Sequence, residues 1–203
     1  MDSLEQIKEG AVGNEMPLDE VLRRCLILAS TLRHEPLKEW ARSELNGYLS
    51  VDNIPSYRSL NVQIYFNAVS FRTIATSQPV PPGTFPPELA AKATTIRLPN
   101  PVAEIEGWAT DEGAKLSVPR DIYVHLASVM SEREWEITSA WYSATSGAVR
   151  GILSTIRTRI VEFALSIEDE LPNFDSRTLA SDPVLRKAVR RIFDRTILGT
   201  GTS

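Results

Sequence analysis

The sequence predicts an α+β fold: an N-terminal helical hairpin and a long C-terminal helix packed with a small, mostly antiparallel sheet, plus a terminal basic helix. Three observations carry this. Between Ser146 and Ile167 apolar residues recur at helical spacing, at Val149, Ile152, Leu153, Ile156, Ile160, Phe163, Ala164 and Ile167. From Leu60 to Ala68 the chain alternates strictly, Leu60, Val62, Ile64, Phe66 and Ala68 against Asn61, Gln63, Tyr65 and Asn67, as a half-buried strand does. Helical patterns at both ends with strand patterns in the middle indicate the α+β class.

In chain order, Leu4 and Ile7 suggest a short amphipathic helix stopped by Gly10 and Gly13. Pro17 fits the first position of a stronger helix carrying Leu18, Val21, Leu22, Cys25, Leu26, Ala29 and Leu32 on one face. Pro36 opens the next, with Leu37, Trp40, Ala41 and Leu45 on one side and Gly47 where a left-handed C-cap is wanted. The link at Arg33–Glu35 is short enough to fold the two helices back on each other as a hairpin, the expected cover for the long helix. Phe71 and Ile74 extend the first strand or begin a second.

Seven of the 13 prolines fall between Pro79 and Pro101. Val80, Phe85, Leu89, Ile96 and Leu98 are too apolar to leave in water, so this stretch is read as ordered and irregular, with a helical turn or two at Pro87–Ala93 and a strand at Thr94–Leu98. Pro101–Ala109 reads as a brief helix with Ile105 and Trp108 inward, Asp111–Gly113 as a turn and Leu116–Val118 as a strand. Pro119 then starts a helix with Ile122, Leu126 and Val129 or Met130 inward, and Ser131–Arg133 forms a loop. From Trp135, alternation puts Ile137, Ser139 and Trp141 on one face and Glu136, Thr138, Ala140 and Tyr142 on the other.

On the long helix, Val161 and Leu165 widen the apolar stripe, while Arg150, Ser154, Arg157, Thr158, Glu162 and Ser166 are expected to face water. Thr145 or Ser146 caps its start and Pro172 bars its continuation. The acids Glu168, Asp169 and Glu170 oppose the negative end of the helix dipole, which predicts fraying there. Gly147-xxx-Gly151 reads as small residues that let a neighbour approach closely. The domain is placed at residues 2–172, with 173–203 a linker and a C-terminal amphipathic helix over Asp182–Leu198.

Composition bounds the function. The 203 residues are 42% hydrophobic and 24% charged, ordinary for a globular protein, and the net charge of −4 opposes generic attraction to nucleic acid or anionic membrane. Cys25 stands alone, which excludes an internal disulfide framework and fits a reducing compartment. The N-terminus lacks a signal-peptide pattern and no apolar run reaches the ~20 residues of a membrane span, so a cytoplasmic protein is expected.

The two histidines, His34 and His125, have no Cys, Asp or Glu helpers at metal-ligand spacing, and are read as structural or surface residues. No Gly-rich phosphate loop, HExxH, GxSxG or Cys–His signature occurs, so no metal, cofactor or catalytic group is expected. The alternative is the Arg120-Asp121-x-x-x-His125 string, which resembles the Arg-x4–6-His motif of HEPN ribonucleases. That resemblance implies a metal-independent RNase using Arg120 and His125. Pro119 breaks the chain just before it, whereas HEPN motifs sit within a long helix. The last helix carries Arg186, Lys187, Arg190, Arg191 and Arg195 against Asp182 and Asp194, giving either a solvated face or a docking surface for a partner, a nucleic acid or a nucleotide signal. Trp40 is read as core; Tyr48 fits either core or a pocket.

The run Pro17-Leu18 through Cys25-Leu26-Ile27-Leu28-Ala29, then Leu37-x-x-Trp40-x-x-x-Glu44-Leu45-Asn46-Gly47-Tyr48, resembles the AbiTii domain of bacterial abortive-infection proteins. Glu-Leu-Asn-Gly-Tyr is its most specific part. The stretch from Gly151 to Leu165 is similar to that family's closing helix, and Ile192-Phe193-x-x-Thr196-Ile197-x-Gly199 to a segment that often follows it. The resemblance implies phage defence by a module often placed N-terminal to other domains, and supplies no catalytic residue. The expected function is therefore a non-enzymatic, homo-oligomeric or partner-binding module, its partner a defence effector domain or a phage-derived trigger.

Overall fold

The computed structural model describes residues 3–13, 15–81, 83–109, 112–172 and 182–200. In chain order the helices are α1 (Ser3–Val12), α2 (Leu18–Thr31), α3 (Glu35–Asn46), α4 (Pro87–Thr94), α5 (Val102–Trp108), α6 (Arg120–Ser131), α7 (Ser146–Glu170) and α8 (Pro183–Phe193), the last running into a π-helical turn at Asp194–Leu198. The strands are β1 (Ser59–Asn61), β2 (Gln63–Val69), β3 (Ile74–Pro79), β4 (Thr95–Arg97), β5 (Ala114–Ser117) and β6 (Glu136–Ala144). This is the α+β class expected, with every strand pair antiparallel. The linker expected from residue 173, and Asp111 of the expected turn, lie outside the described residues.

The chain divides into two units. The first comprises Met1–Tyr57, Pro99–Gly107 and Gly151–Ser203 and holds α1, α2, α3, α5, most of α7, and α8. Helical periodicity places its buried residues as expected: Leu18, Val21, Leu22, Cys25 and Ala29 on α2, and Ile152, Ile156, Ile160, Phe163, Ala164 and Ile167 on α7. Leu28 is buried on α2, whereas Leu26 is only half-buried. Burial pushes the Cys25 thiol up to about 12, so it stays protonated and packs as a small apolar group.

Three expectations for this unit are corrected. Gly10 does not stop α1 but lies buried inside it, where a Cβ would come within 2.7 Å of the Met16 sulfur; the glycine permits close approach. Gly147 and Gly151 are exposed, with open space where a Cβ would stand, so they are not the close-packing pair. The acidic end of α7 is helical through Glu170, and two of its three acids meet cations: Glu168 receives Lys8 Nζ at 2.9 Å, and Glu170 receives Arg191 and Arg195 at 2.7 Å each. Those two guanidiniums, Arg195 foremost, hold the Glu170 carboxyl below its usual range.

Arg157 is the largest departure. Expected in water, it is 9% exposed, and its guanidinium donates to the carbonyls of Gly10 (3.0 Å), Gly13 (2.9 Å) and Met16 (2.7 Å). These lie at and just beyond the C-terminal end of α1, where carbonyls lack intrahelical partners and a positive charge is favoured. The same guanidinium stands 3.8 Å from Glu106 of α5, whose Oε1 accepts the Leu18 N–H at 2.9 Å. Glu106 thus supplies the side-chain acceptor for the start of α2 that its N-cap residue, Pro17, lacks.

The second unit comprises Arg58–Leu98 and Trp108–Arg150. Its four-stranded sheet runs β3-β2-β6-β5, and β1 pairs with β4 in a separate two-stranded ladder. The single strand expected over Leu60–Ala68 is therefore two strands, broken at Val62, whose N–H bonds Thr94. The core lies between one face of the sheet and α4 and α6, with Ile64, Phe66, Ala68, Ala93, Ile122, Leu126, Met130 and Tyr142 buried. The proline-rich stretch contributes Val80, whose N–H bonds Ile64, and Leu98, whose N–H donates to the Arg58 carbonyl and whose carbonyl accepts from the buried Arg58 guanidinium. At the far end of α6 Met130, not Val129, faces inward.

The faces expected for β6 are also corrected. Asn67 opposes Ser139 while Ala68 opposes Ile137, so Thr138 is an extra residue, a bulge. It reverses the phase: Ile137 and Tyr142 share the core face, while Trp141 turns outward and stacks on Tyr65 at 6.2 Å. Asn67 steadies the distortion by donating to Ser139 Oγ at 2.9 Å and accepting the Ser77 N–H at 2.8 Å.

Replacing Arg157 by Met keeps the aliphatic stem but leaves three carbonyls without their donor and Glu106 without its counter-charge. Urea denaturation is expected to show a loss of about 3–5 kcal/mol, the cost of breaking a buried pair, with Arg157→Lys recovering only part of it. A loss below about 1 kcal/mol would mean that water replaces the guanidinium without difficulty.

Candidate functional site

The Leu37–Tyr48 string builds a buried polar cluster in the first unit. On α3, Leu37, Trp40, Ala41 and Glu44 share the buried face at spacings of three, one and three. The fourth position is Glu44, fully buried, and not Leu45, which is half-buried. A carboxylate without solvent requires donors. It receives the Tyr48 hydroxyl at 2.6 Å and the Tyr57 hydroxyl at 2.7 Å, and Trp40 Nε1 donates to the Tyr57 oxygen at 2.8 Å. Tyr48 is thus a clamp on Glu44 within the scaffold. Gly47, at φ +87°, continues the closure: the Pro99 carbonyl would lie 2.7 Å from any Cβ there, and it accepts the Tyr48 N–H at 2.8 Å. Asn46 is exposed.

The Tyr57 ring lies beneath the Arg159 guanidinium, 4.7 Å from its centroid. Burial first, then the neighbouring Glu44 charge, pushes the Tyr57 hydroxyl well above the usual phenol range, so it remains a donor and is no proton shuttle. Arg159 Nη1 donates to the carbonyls of Thr196 (3.2 Å) and Ile197, closing the π-helical turn after α8.

His34 is the N-cap of α3, its Nδ1 accepting the Leu37 N–H at 3.1 Å, and its ring packs edge-on against Phe193 at 5.3 Å. Nε2 is buried and meets no partner among the described residues. Burial, then nearby Arg190, lowers its pKa, with Asp194 opposing.

The basic residues of α8 and its turn are all exposed but differently engaged. Arg190 pairs with Asp194, and Arg191 and Arg195 pair with Glu170. Arg186 and Lys187 have no ion-pair partner among the described residues.

In the second unit Arg120 and His125 line one shallow depression on α6. Five residues apart, they stand about 140° from each other around the helix. His125 Nε2 lies 3.0 Å from the Thr84 carbonyl and its ring tilts against Phe85, while Asp121 pairs with Lys92.

Sequence reasoning missed Tyr57, Arg157 and Arg159. Tyr57 sits in a short 3₁₀ turn with no periodicity to reveal it. Arg157 flanks the apolar stripe one position from Ile156 and one turn from Ile160 and Leu153, a position that a solvated charge occupies equally well.

The AbiTii family model matches residues 3–187, a span that contains the whole Leu37–Tyr48 string and ends within α8. No curated protein and no solved structure matches the chain.

Tyr57→Phe removes a donor to Glu44 and the acceptor for Trp40; chemical denaturation is expected to register a loss of about 1–3 kcal/mol. Combined with Glu44→Leu, the losses should add to less than their sum, because both changes break one network.

For His34 the sign follows from its lowered pKa. The folded state resists protonation, so stability is complete above the ordinary value of 6.5 and declines as pH falls toward the lowered folded value. Asparagine can cap the helix but does not titrate, so His34→Asn should flatten the Tm profile between pH 7 and 5. An unchanged slope would place the proton uptake elsewhere.

Proposed function

The chain belongs to the AbiTii family, an abortive-infection family, and from that membership we propose that it is a non-enzymatic module of a bacterial anti-phage system. It acts by self-association or by binding a partner, either a defence effector domain or a phage-derived trigger. The observation that carries this reading is the family match over residues 3–187, joined to what the Leu37–Tyr48 string does: its Trp, Glu, Gly and Tyr close a scaffold. The contact surface is the cationic face of α8, Arg186, Lys187, Arg190, Arg191 and Arg195. Arg186 and Lys187 offer charge with no partner among the described residues, on a chain of net charge −4. None of the described helices is long and apolar enough to cross a membrane.

Exposed charge changes seldom alter stability by more than about 0.5 kcal/mol, so Arg186→Glu with Lys187→Glu should leave the fold intact. Cells carrying this double variant are expected to lose most of their protection in a plaque assay. Full protection would remove α8 as the contact surface. Light scattering on the purified chain, alone and with extract of phage-infected cells, is expected to show a species larger than the monomer. A strict monomer in both would count against the mode of action.

A further inference from the structure

A polar groove of about 310 Å³ lies in the first unit between α7 and the π-helical turn. Its lining combines two guanidiniums, exposed hydroxyls and one carboxylate, with no aromatic side chain. Arg159 uses Nη1 on the Thr196 and Ile197 carbonyls and keeps Nη2 without an acceptor among the described residues. Gly199, at φ +70°, stands over that edge: a Cβ there would lie 3.5–3.6 Å from Nη1 and Nη2, and a longer side chain would cover them. Arg195 spends one amino group on Glu170 at 2.7 Å, and its side chain is 47% exposed. Ser154 and Thr158 expose hydroxyls with no partner among the described residues. Glu162 is exposed and carries no ion pair among them.

We propose that this groove binds a small phosphorylated sugar. Planar guanidiniums and adjacent hydroxyls suit phosphate oxygens. Glu162 would repel a bare anion but accepts hydrogen bonds from sugar hydroxyls, as acidic residues do for ribose elsewhere. A sugar alone leaves both arginines unused; a sugar phosphate engages all three charged groups. The volume suits a ligand of that size, and π-helical turns concentrate at functional sites. With no ring lining the groove, a nucleobase would be carried but not read. This inference does not rest on the defence reading, although Arg195 belongs to both surfaces; Arg159 and Glu162 belong to the groove alone.

Calorimetry on the full chain tests it, with ribose 5-phosphate, adenosine 5′-monophosphate, inorganic phosphate and ribose as probes. The two sugar phosphates should bind with similar affinity, inorganic phosphate more weakly by about tenfold or more, and ribose not measurably. Arg195→Gln should weaken every phosphate probe by about tenfold, the worth of one charge-assisted hydrogen bond. Glu162→Gln, on an exposed helix face that tolerates change, should weaken ribose 5-phosphate yet tighten inorganic phosphate. No heat from ribose 5-phosphate up to about 10 mM, well beyond a millimolar Kd, would overturn the proposal. So would equal binding of phosphate and ribose 5-phosphate, binding of the nucleotide alone, or affinities untouched by both variants.

Discussion

One guanidinium closes the end of one helix and secures the beginning of the next. Arg157 reaches from α7 to three carbonyls at the close of α1, across as many as 147 positions of sequence, and pairs with the carboxylate that caps α2. Burial disfavours the Arg157 charge, and the half-buried Glu106 carboxylate at 3.8 Å offsets part of that cost. Gly10 belongs to the same arrangement: with hydrogen in place of Cβ, Met16 packs against α1, and the carbonyls of residues 10, 13 and 16 converge on one planar fork. α1, α2, α5 and α7 are thereby held by polar geometry as well as by apolar burial, and burial alone would not select this register.

Two residues further along, α7 repeats the device on another side. Arg159 stands about 200° around the helix from Arg157 and closes the carbonyl end of the π-helical turn. The acids ending α7, unfavourable to its own dipole, find Lys8 on one side and Arg191 and Arg195 on the other. In the first unit, α7 therefore joins the amino-terminal and carboxy-terminal helices by donors and acceptors at their ends. Its apolar stripe supplies the bulk of the contact, and its charges supply the register.

These two contributions differ in how plainly a sequence displays them. The apolar stripe of α7, the hairpin of α2 and α3, the alternation of β2 and the face of α8 were legible because periods of 3.6 and 2 survive in residue type alone. Arg157 was hidden because a charge beside a stripe ordinarily means solvent, and its acceptors are backbone groups that leave no mark on residue identity. Glu44 was hidden because Leu45 continues the apolar spacing equally well. The bulge at Thr138 was hidden because alternation is intact on either side of it and only the phase changes, which carried Trp141 to the wrong face. For the candidate site, the string was legible but its use was not: Tyr57 completes the cluster from a turn with no period at all.

The string itself explains why family and mechanism come apart here. Glu44 must be an acid on a buried face, Gly47 must adopt a positive φ beneath the Pro99 carbonyl, and Tyr48 must return a hydroxyl to Glu44 while its N–H meets that same carbonyl. Three demands fall on five consecutive positions, so few other sequences satisfy them. Each demand is met inside the first unit, which consumes the string's ionisable carboxylate and its phenol in holding α3 to the segments around it. The side chains that the fold leaves partly unspent are others, and the two proposed binding surfaces rest on them: Arg186 and Lys187 on α8, and Arg159, Glu162 and Arg195 around the π-helical turn. A motif built from closure constraints specifies where those side chains stand without specifying what they meet.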